Sequence, residues 1–264
     1  MVGLIPAAGR ASRVAPLPCS KELFPVGFHA SASAARLRPK VAAHYLLEKM
    51  RRADIRQAYI VLREGKWDIP AYFGDGQMLD MQLAYLMMGA PFGVPYTLDQ
   101  AFPFVERSRV ALGFPDMVLE PDDAFVQLLA RHEACGADLV LGLFPALRPE
   151  KTDMVELDER GRVRTLVIKP ERSELRYAWE IAVWTPAFTR LMHDFVARDA
   201  RRRAVASGAG TAEVQISAVV QAAIDAGLAV EAVIFENGRC LDIGTPEDLL
   251  RAVRWQVSEV LPER

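Results

Sequence analysis

The feature that most narrows what this chain can fold into is an apolar run, Val2-Gly3-Leu4-Ile5, that ends at Pro6 and gives way to Ala7, Ala8 and Gly9. A strand running into residues this small can lay its backbone N–H groups along a phosphate chain, because no large side chain holds the ligand away. Arg10 and Arg13 follow within Arg10-Ala11-Ser12-Arg13, and Lys21 sits in Ser20-Lys21-Glu22-Leu23-Phe24-Pro25-Val26-Gly27. Two forked guanidinium groups and one compact ammonium bring positive charge to the same loop. On these residues alone a surface loop with solvated arginines stays open as the alternative.

Downstream, the pattern alternates between short apolar strands and amphipathic helices. A helix with the apolar face Val41, Tyr45, Leu46 and Met50 is expected to start near Pro39, followed by a strand over Ala58-Tyr59-Ile60-Val61-Leu62. Strand, helix, strand in that order implies a right-handed crossover and a parallel pair. Arg109 to Phe114 and Asp138 to Phe144 read as buried strands, and Asp153 to Leu157 with Arg162 to Ile168 as a hairpin. Carboxylates at 122 and 123 are expected to cap a helix running to Cys135. Thr245, Pro246, Glu247 and Asp248 form a complete helix start. Residues 28–37 read as an inserted loop and 198–212 as a flexible connector.

A chain of 264 residues can bury a substantial core, and a single domain over 1–264 is expected. The net charge of −2 argues against a dedicated nucleic-acid surface, so an anionic partner has to be held by a local site. No apolar segment reaches the roughly 18 residues of a membrane span and the N-terminus does not read as a signal peptide, so no membrane partner and a cytoplasmic location are expected. Three widely spaced cysteines and four histidines signal neither a disulfide framework nor a metal-ligand cluster. Lysine supplies only six of the 32 basic residues, so each lysine marks a place where a compact point charge is wanted; two of them are Lys21 and Lys169.

The opening stretch resembles the signature of the sugar-1-phosphate nucleotidyltransferases, most closely the glucose-1-phosphate thymidylyltransferase type. That pattern is a strand, then LAGGxGTRLxPxT, then (P/S)KxLxPV. Here Pro6 to Arg13 stand in the first motif, with Ala8 and Ala11 replacing glycines and Ser12 replacing threonine, and Ser20 to Val26 stand in the second. Cys240-Leu241-Asp242-Ile243-Gly244-Thr245-Pro246 resembles the family's WxDxGTP, and Ile168-Lys169-Pro170 its EKP. The resemblance covers Val2 to about Val253. It implies a single-domain α/β, Rossmann-like fold with a mostly parallel twisted mixed sheet flanked by helices.

It also implies nucleotidyl transfer from a nucleoside triphosphate to a phosphorylated small-molecule acceptor, a sugar 1-phosphate in the family's usual case, with release of pyrophosphate. Residues 6–12 (Pro6, Ala7, Ala8, Gly9, Arg10, Ala11 and Ser12), with Met88 and Thr97 at the base-reading positions, would bind the nucleotide. Arg13 and Lys21 would neutralise charge at the α-phosphorus, and Asp116 and Asp242 would hold Mg²⁺. Lys169 would hold the acceptor phosphate, beside Asp153 and Glu180. Because Asp153 and Glu180 replace glycines and Ile168 replaces a sugar-binding glutamate, a non-sugar phosphorylated or phosphonylated acceptor, for example with CTP, stays open. So does a catalytically silent nucleotide-binding regulator. A homo-oligomer is compatible with these features.

Overall fold

The computed structural model describes residues 1–31, 34–89, 92–205 and 212–260. Strands β1 (Val2–Pro6), β2 (Pro25–Ser31) and β3 (Ala34–Val41) precede helix α1 (Ala42–Arg52). Next come β4 (Gln57–Arg63), α2 (Asp68–Phe73), β5 (Gln82–Met88), α3 (Val94–Asp99) and α4 (Phe102–Val105). The middle of the chain supplies β6 (Val110–Leu112), β7 (Met117–Glu120), α5 (Ala124–Cys135), β8 (Leu139–Pro145), β9 (Asp153–Leu157), β10 (Val163–Ile168) and β11 (Tyr177–Trp184). Last are α6 (Pro186–Val205), α7 (Ile216–Asp225), β12 (Val230–Ile234), β13 (Arg239–Asp242) and α8 (Pro246–Val260).

Among the described residues, nine strands form one mixed sheet. Strands β5, β4, β1 and β6 lie side by side and parallel. The antiparallel β11 joins β6 to β8, which pairs in parallel with β12, while the β9–β10 hairpin attaches near the start of β11. Alternate residues of each strand feed two cores, one on each face. Val2, Leu4, Leu139, Leu141 and Leu143 face a core shared with α3, α6 and α7, including Leu98, Phe188, Met192, Val219 and Val220. Ile5, Ala7, Val140 and Phe144 face the other, against Leu46, Leu47 and Met50 of α1 and Phe125 and Leu128 of α5. The expectation of one α/β domain with strands buried on both faces therefore holds.

Several local expectations are corrected. Strands Pro25–Ser31 and Ala34–Val41 pair antiparallel where a loop over 28–37 is expected, with His29 opposite Arg38 and Ala30 opposite Leu37; residues 32 and 33 lie outside the described residues. Phe28, Leu37, Arg38 and Pro39 are all exposed, so at these positions burial does not impose the alternation that marks a strand. Pro39 lies in β3, and α1 starts three residues later at Ala42. The expected connector begins inside α6, which continues to Val205; residues 206–211 lie outside the described residues. Helix α5 has no side-chain cap at Asp123, and Asp122 accepts instead from Lys49 of α1. Thr97 lies inside α3, which starts at Val94 after Gly93. At α8 the expected cap is present: Thr245 Oγ1 accepts from the Asp248 N–H at 3.3 Å and donates to its carboxylate at 2.7 Å.

Candidate active site

Parallel sheets deliver the loops that follow their strands to one edge, and here the loops after β1 and β6 open a cleft with two lobes. The first, about 340 Å³, is lined by Pro6, Ala8, Gly9, Arg10, Ala11, Ser12, Arg13, Lys21 and Thr97. The second, about 320 Å³, is lined by Asp153, Lys169, Glu180 and Asp242. Arg13, Val94, Phe114 and Asp116 line both, so the two lobes adjoin along a shared wall.

The small-residue loop has the properties of an anion cradle. No backbone N–H from Ala8 to Arg13 finds a backbone acceptor among the described residues. Ala11 holds φ at 53°, the left-handed conformation that glycine adopts freely, so the alanine keeps a glycine-like path at a cost of about 1 kcal/mol. Ala7 stands apart: it is buried in the core and its N–H donates to Val61 O at 2.8 Å. Met88 is likewise packed in the core and does not line the cleft, whereas Thr97 does, with its hydroxyl 3.4 Å from Gly93 O.

Asp116 and Asp242, far apart in sequence, are brought together by a two-stranded ladder. Strands β7 and β13 pair antiparallel with Met117 opposite Asp242, and the Ile243 N–H donates to Asp116 O at 3.0 Å. Asp116 also takes an ion pair from Lys21, which opens a single 3₁₀ turn over Lys21–Leu23. Burial alone would lower the Lys21 pKa, but the Asp116 carboxylate outweighs it and holds the ammonium charged. Burial likewise pushes the Asp116 carboxyl upward, and Lys21 brings it below the usual range. Burial and then the neighbouring Asp116 charge raise Asp242 to about 6, against the pull of Lys21 and of Arg13, whose guanidinium stands 3.8 Å away. Asp242 Oδ1 is buried without a hydrogen-bond partner, so one oxygen is free to accept a cation or a donor. Beneath Lys21, Glu22 and Lys66 form a buried ion pair at 2.5 Å.

The second lobe has its own logic. Strand β11 is bulged between Trp179 and Ile181, so Glu180 is the extra residue, released from the ladder into the lobe. Burial, with Asp242, Asp153 and Asp116 nearby, pushes its pKa up to about 8. At neutral pH it therefore carries a proton and can donate a hydrogen bond. Asp153 Oδ2 accepts from Ser217, whose hydroxyl accepts from Trp179 Nε1 at 2.8 Å, while Asp153 Oδ1 is buried and unpartnered. Lys169 has φ at 41° and donates to Gln215 at 3.1 Å. Three cations the motifs do not reach, Arg148, Lys151 and Arg251, also line this lobe. Of these, Lys151 carried a signal, as one of the few lysines in an arginine-rich chain.

Residues 2–258 match the profile of the nucleotidyl transferase family. A low-salt glycan biosynthesis nucleotidyltransferase of Haloferax volcanii is 25% identical over 256 residues, covering 96% of this chain and 65% of the relative. A glucose-1-phosphate thymidylyltransferase of Streptomyces griseus is 26% identical over 261 residues, with the same 96% and 65% coverage. The chain thus spans just under two thirds of the length of these relatives. Among solved structures, a Bacillus anthracis protein assigned as a glucose-1-phosphate thymidylyltransferase superposes with a TM-score of 0.77 at 18% identity, covering 97% of this chain and 94% of that one. The inositol-1-phosphate CTP transferase of T. maritima gives 0.71 at 17% identity, with 97% and 96% coverage. At these identities the structural matches speak to the fold.

Proposed function

The chain belongs to the nucleotidyl transferase family, and from that premise we propose that it transfers a nucleoside monophosphate from a nucleoside triphosphate to a phosphorylated acceptor, releasing pyrophosphate. The observation that carries the reading is the convergence of Lys21, Asp116, Asp242 and Arg13 where the two lobes meet. In-line displacement at phosphorus asks little of a protein beyond alignment and charge neutralisation, and the cleft is built for both. The free N–H groups of the first loop hold the triphosphate, with Arg10 and Arg13 beside them. Lys21 neutralises charge at the α-phosphorus as the acceptor oxygen attacks. Lys169 holds the acceptor phosphate in the second lobe, and Asp153 Oδ1 and protonated Glu180 bond the rest of the acceptor.

The donor set at the junction fits Mg²⁺: two adjacent carboxylates, one with an orphaned buried oxygen, leave the remaining positions to phosphate oxygens and water. Bound by Asp116 and Asp242, the ion would supply charge that lets two phosphates approach one another.

The acceptor is a sugar 1-phosphate in this reading, with a thymidine or uridine nucleotide as donor. Asp153, Ile168 and Glu180 favour, as a second reading, a non-sugar phosphorylated or phosphonylated acceptor, because they change the chemistry around it at three places. Three free thiols and a nucleoside triphosphate substrate fit a cytoplasmic protein. The test is a matrix of nucleoside triphosphates against phosphorylated acceptors with pyrophosphate release as readout. Release with at least one pair is expected, and silence across the matrix would favour a nucleotide-binding regulator.

A further inference from the structure

Arg148, Lys151 and Arg251 converge on one carboxylate, that of Asp248, at the first turn of α8. Lys151 Nζ stands 3.9 Å and Arg251 Nη1 3.5 Å from it, and Arg148 donates to it directly. The same carboxylate already takes the Thr245 hydroxyl at 2.7 Å. Asp242 and Glu150 also act on Arg148 from farther off, but among the described residues Asp248 is the one carboxylate within 4 Å of the three cations, and cations sharing one carboxylate are better balanced when a further anion joins them. The cluster could simply pin the connection between β8 and β9 onto α8, but a single ion pair from Arg148 would do that. Instead Arg148, Lys151, Asp248 and Arg251 all line the second lobe, with the three cationic side chains 29%, 39% and 53% exposed toward it or the solvent.

This surplus of charge lies on a different wall of the lobe from Lys169. Lys169 stands at the end of β10 against Gln215, the residue preceding α7, whereas Arg148 and Lys151 come from the β8–β9 connection and lean on α8. The lobe therefore offers two cationic places with the acidic Asp153 and Glu180 also on its lining. We propose that the acceptor carries two anionic groups: the phosphate that reacts, held by Lys169, and a second anion, carboxylate or phosphate, held by Arg148, Lys151 and Arg251. Arginine matches such a group with paired N–H donors and lysine with a point charge. This inference rests on the nucleotidyl-transfer reading and narrows its substrate class.

The test compares glucose 1-phosphate, glucuronic acid 1-phosphate and glucose 1,6-bisphosphate as acceptors, by kcat/KM for pyrophosphate release. At least one of the doubly anionic acceptors should be used about tenfold or more better than glucose 1-phosphate, and which one it is separates carboxylate from phosphate. Lys151→Gln and Arg148→Gln should each lower the preference for the doubly anionic acceptor over glucose 1-phosphate about tenfold, the loss of a charge-assisted contact. Equal or better use of glucose 1-phosphate, with ratios unmoved in both variants, overturns the second anion site and leaves nucleotidyl transfer standing. If none of the three supports pyrophosphate release with any nucleoside triphosphate, the sugar 1-phosphate reading of the acceptor fails. Calorimetric binding of the same three compounds then decides the site, by whether the doubly anionic ones bind more tightly and lose that advantage in Lys151→Gln.

Discussion

Replacing Glu180 with glutamine should change how stability depends on pH while leaving the fold in place. Glu180 is pushed from an ordinary 4.5 to about 8 by burial and by the charges of Asp242, Asp153 and Asp116. Between those two values the folded chain keeps a proton there that the unfolded chain has released, so the folded state binds more protons and stability falls as pH rises. The stability is whole below 4.5 and the loss is complete once pH has passed about 8. A shift of this size sets an upper limit of about 5 kcal/mol, and because the side chain lines an open lobe, solvent screening makes about 2–3 kcal/mol the working expectation. Glutamine keeps the volume and cannot ionise. Urea unfolding of both proteins at pH 5 and pH 8.5 measures the effect. The wild type should lose about 2–3 kcal/mol more than Glu180→Gln over that interval, with the variant the more stable protein at the upper end. Parallel curves, differing by less than about 0.5 kcal/mol in their pH-dependent change, would show that Glu180 ionises normally and is not forced into the lobe by the β11 bulge.

Other perturbations bear on the loop and the junction. Lys21→Ala should lower turnover at least about a hundredfold by removing charge at the α-phosphorus, and should cost about 1–3 kcal/mol of stability by leaving Asp116 unpaired; near-normal pyrophosphate release from folded protein would remove Lys21 from the mechanism. Ala11→Gly should relieve the left-handed strain and hold or raise the melting temperature despite glycine's greater unfolded-state entropy, and a clear fall in Tm would contradict that conformation. Met88→Ala should destabilise by about 2–5 kcal/mol, as a large-to-small change in a packed core does. Because Met88 is turned away from the cleft, nucleotide preference should stay as it was; a changed preference at unchanged stability would make it a direct reader of the base.

The parts of this fold that the sequence reveals are those where one physical requirement dominates. β1 and β8 are buried on both faces and read as continuous apolar runs, and α8 announces itself through Thr245, Pro246 and Asp248. The β2–β3 hairpin does not: Phe28, Leu37 and Arg38 are exposed, and at these positions burial imposes no period. The site divides the same way. Asp116, Asp242, Lys21 and Lys169 carry motif spacing, and the β7–β13 register brings the two aspartates together. Arg148 and Lys151 reach Asp248 through tertiary packing, for which local spacing holds no signal, whereas Arg251 lies three residues on in the same helix. Met88 shows the reverse limit, since a position at a strand's end fits a core and a binding site equally well until the neighbouring helices are known.

The most direct test of the central claim is a double-mutant cycle on Asp116→Asn and Asp242→Asn, read by pyrophosphate release at saturating nucleotide with Mg²⁺. If the two carboxylates serve one cation, each single variant should lose at least about a hundredfold in kcat, and the double variant should lose far less than the product of the two losses, because removing either ligand already forfeits the ion. Losses that multiply, or near-normal turnover in either folded single variant, would mean that the two aspartates do not act as one metal site.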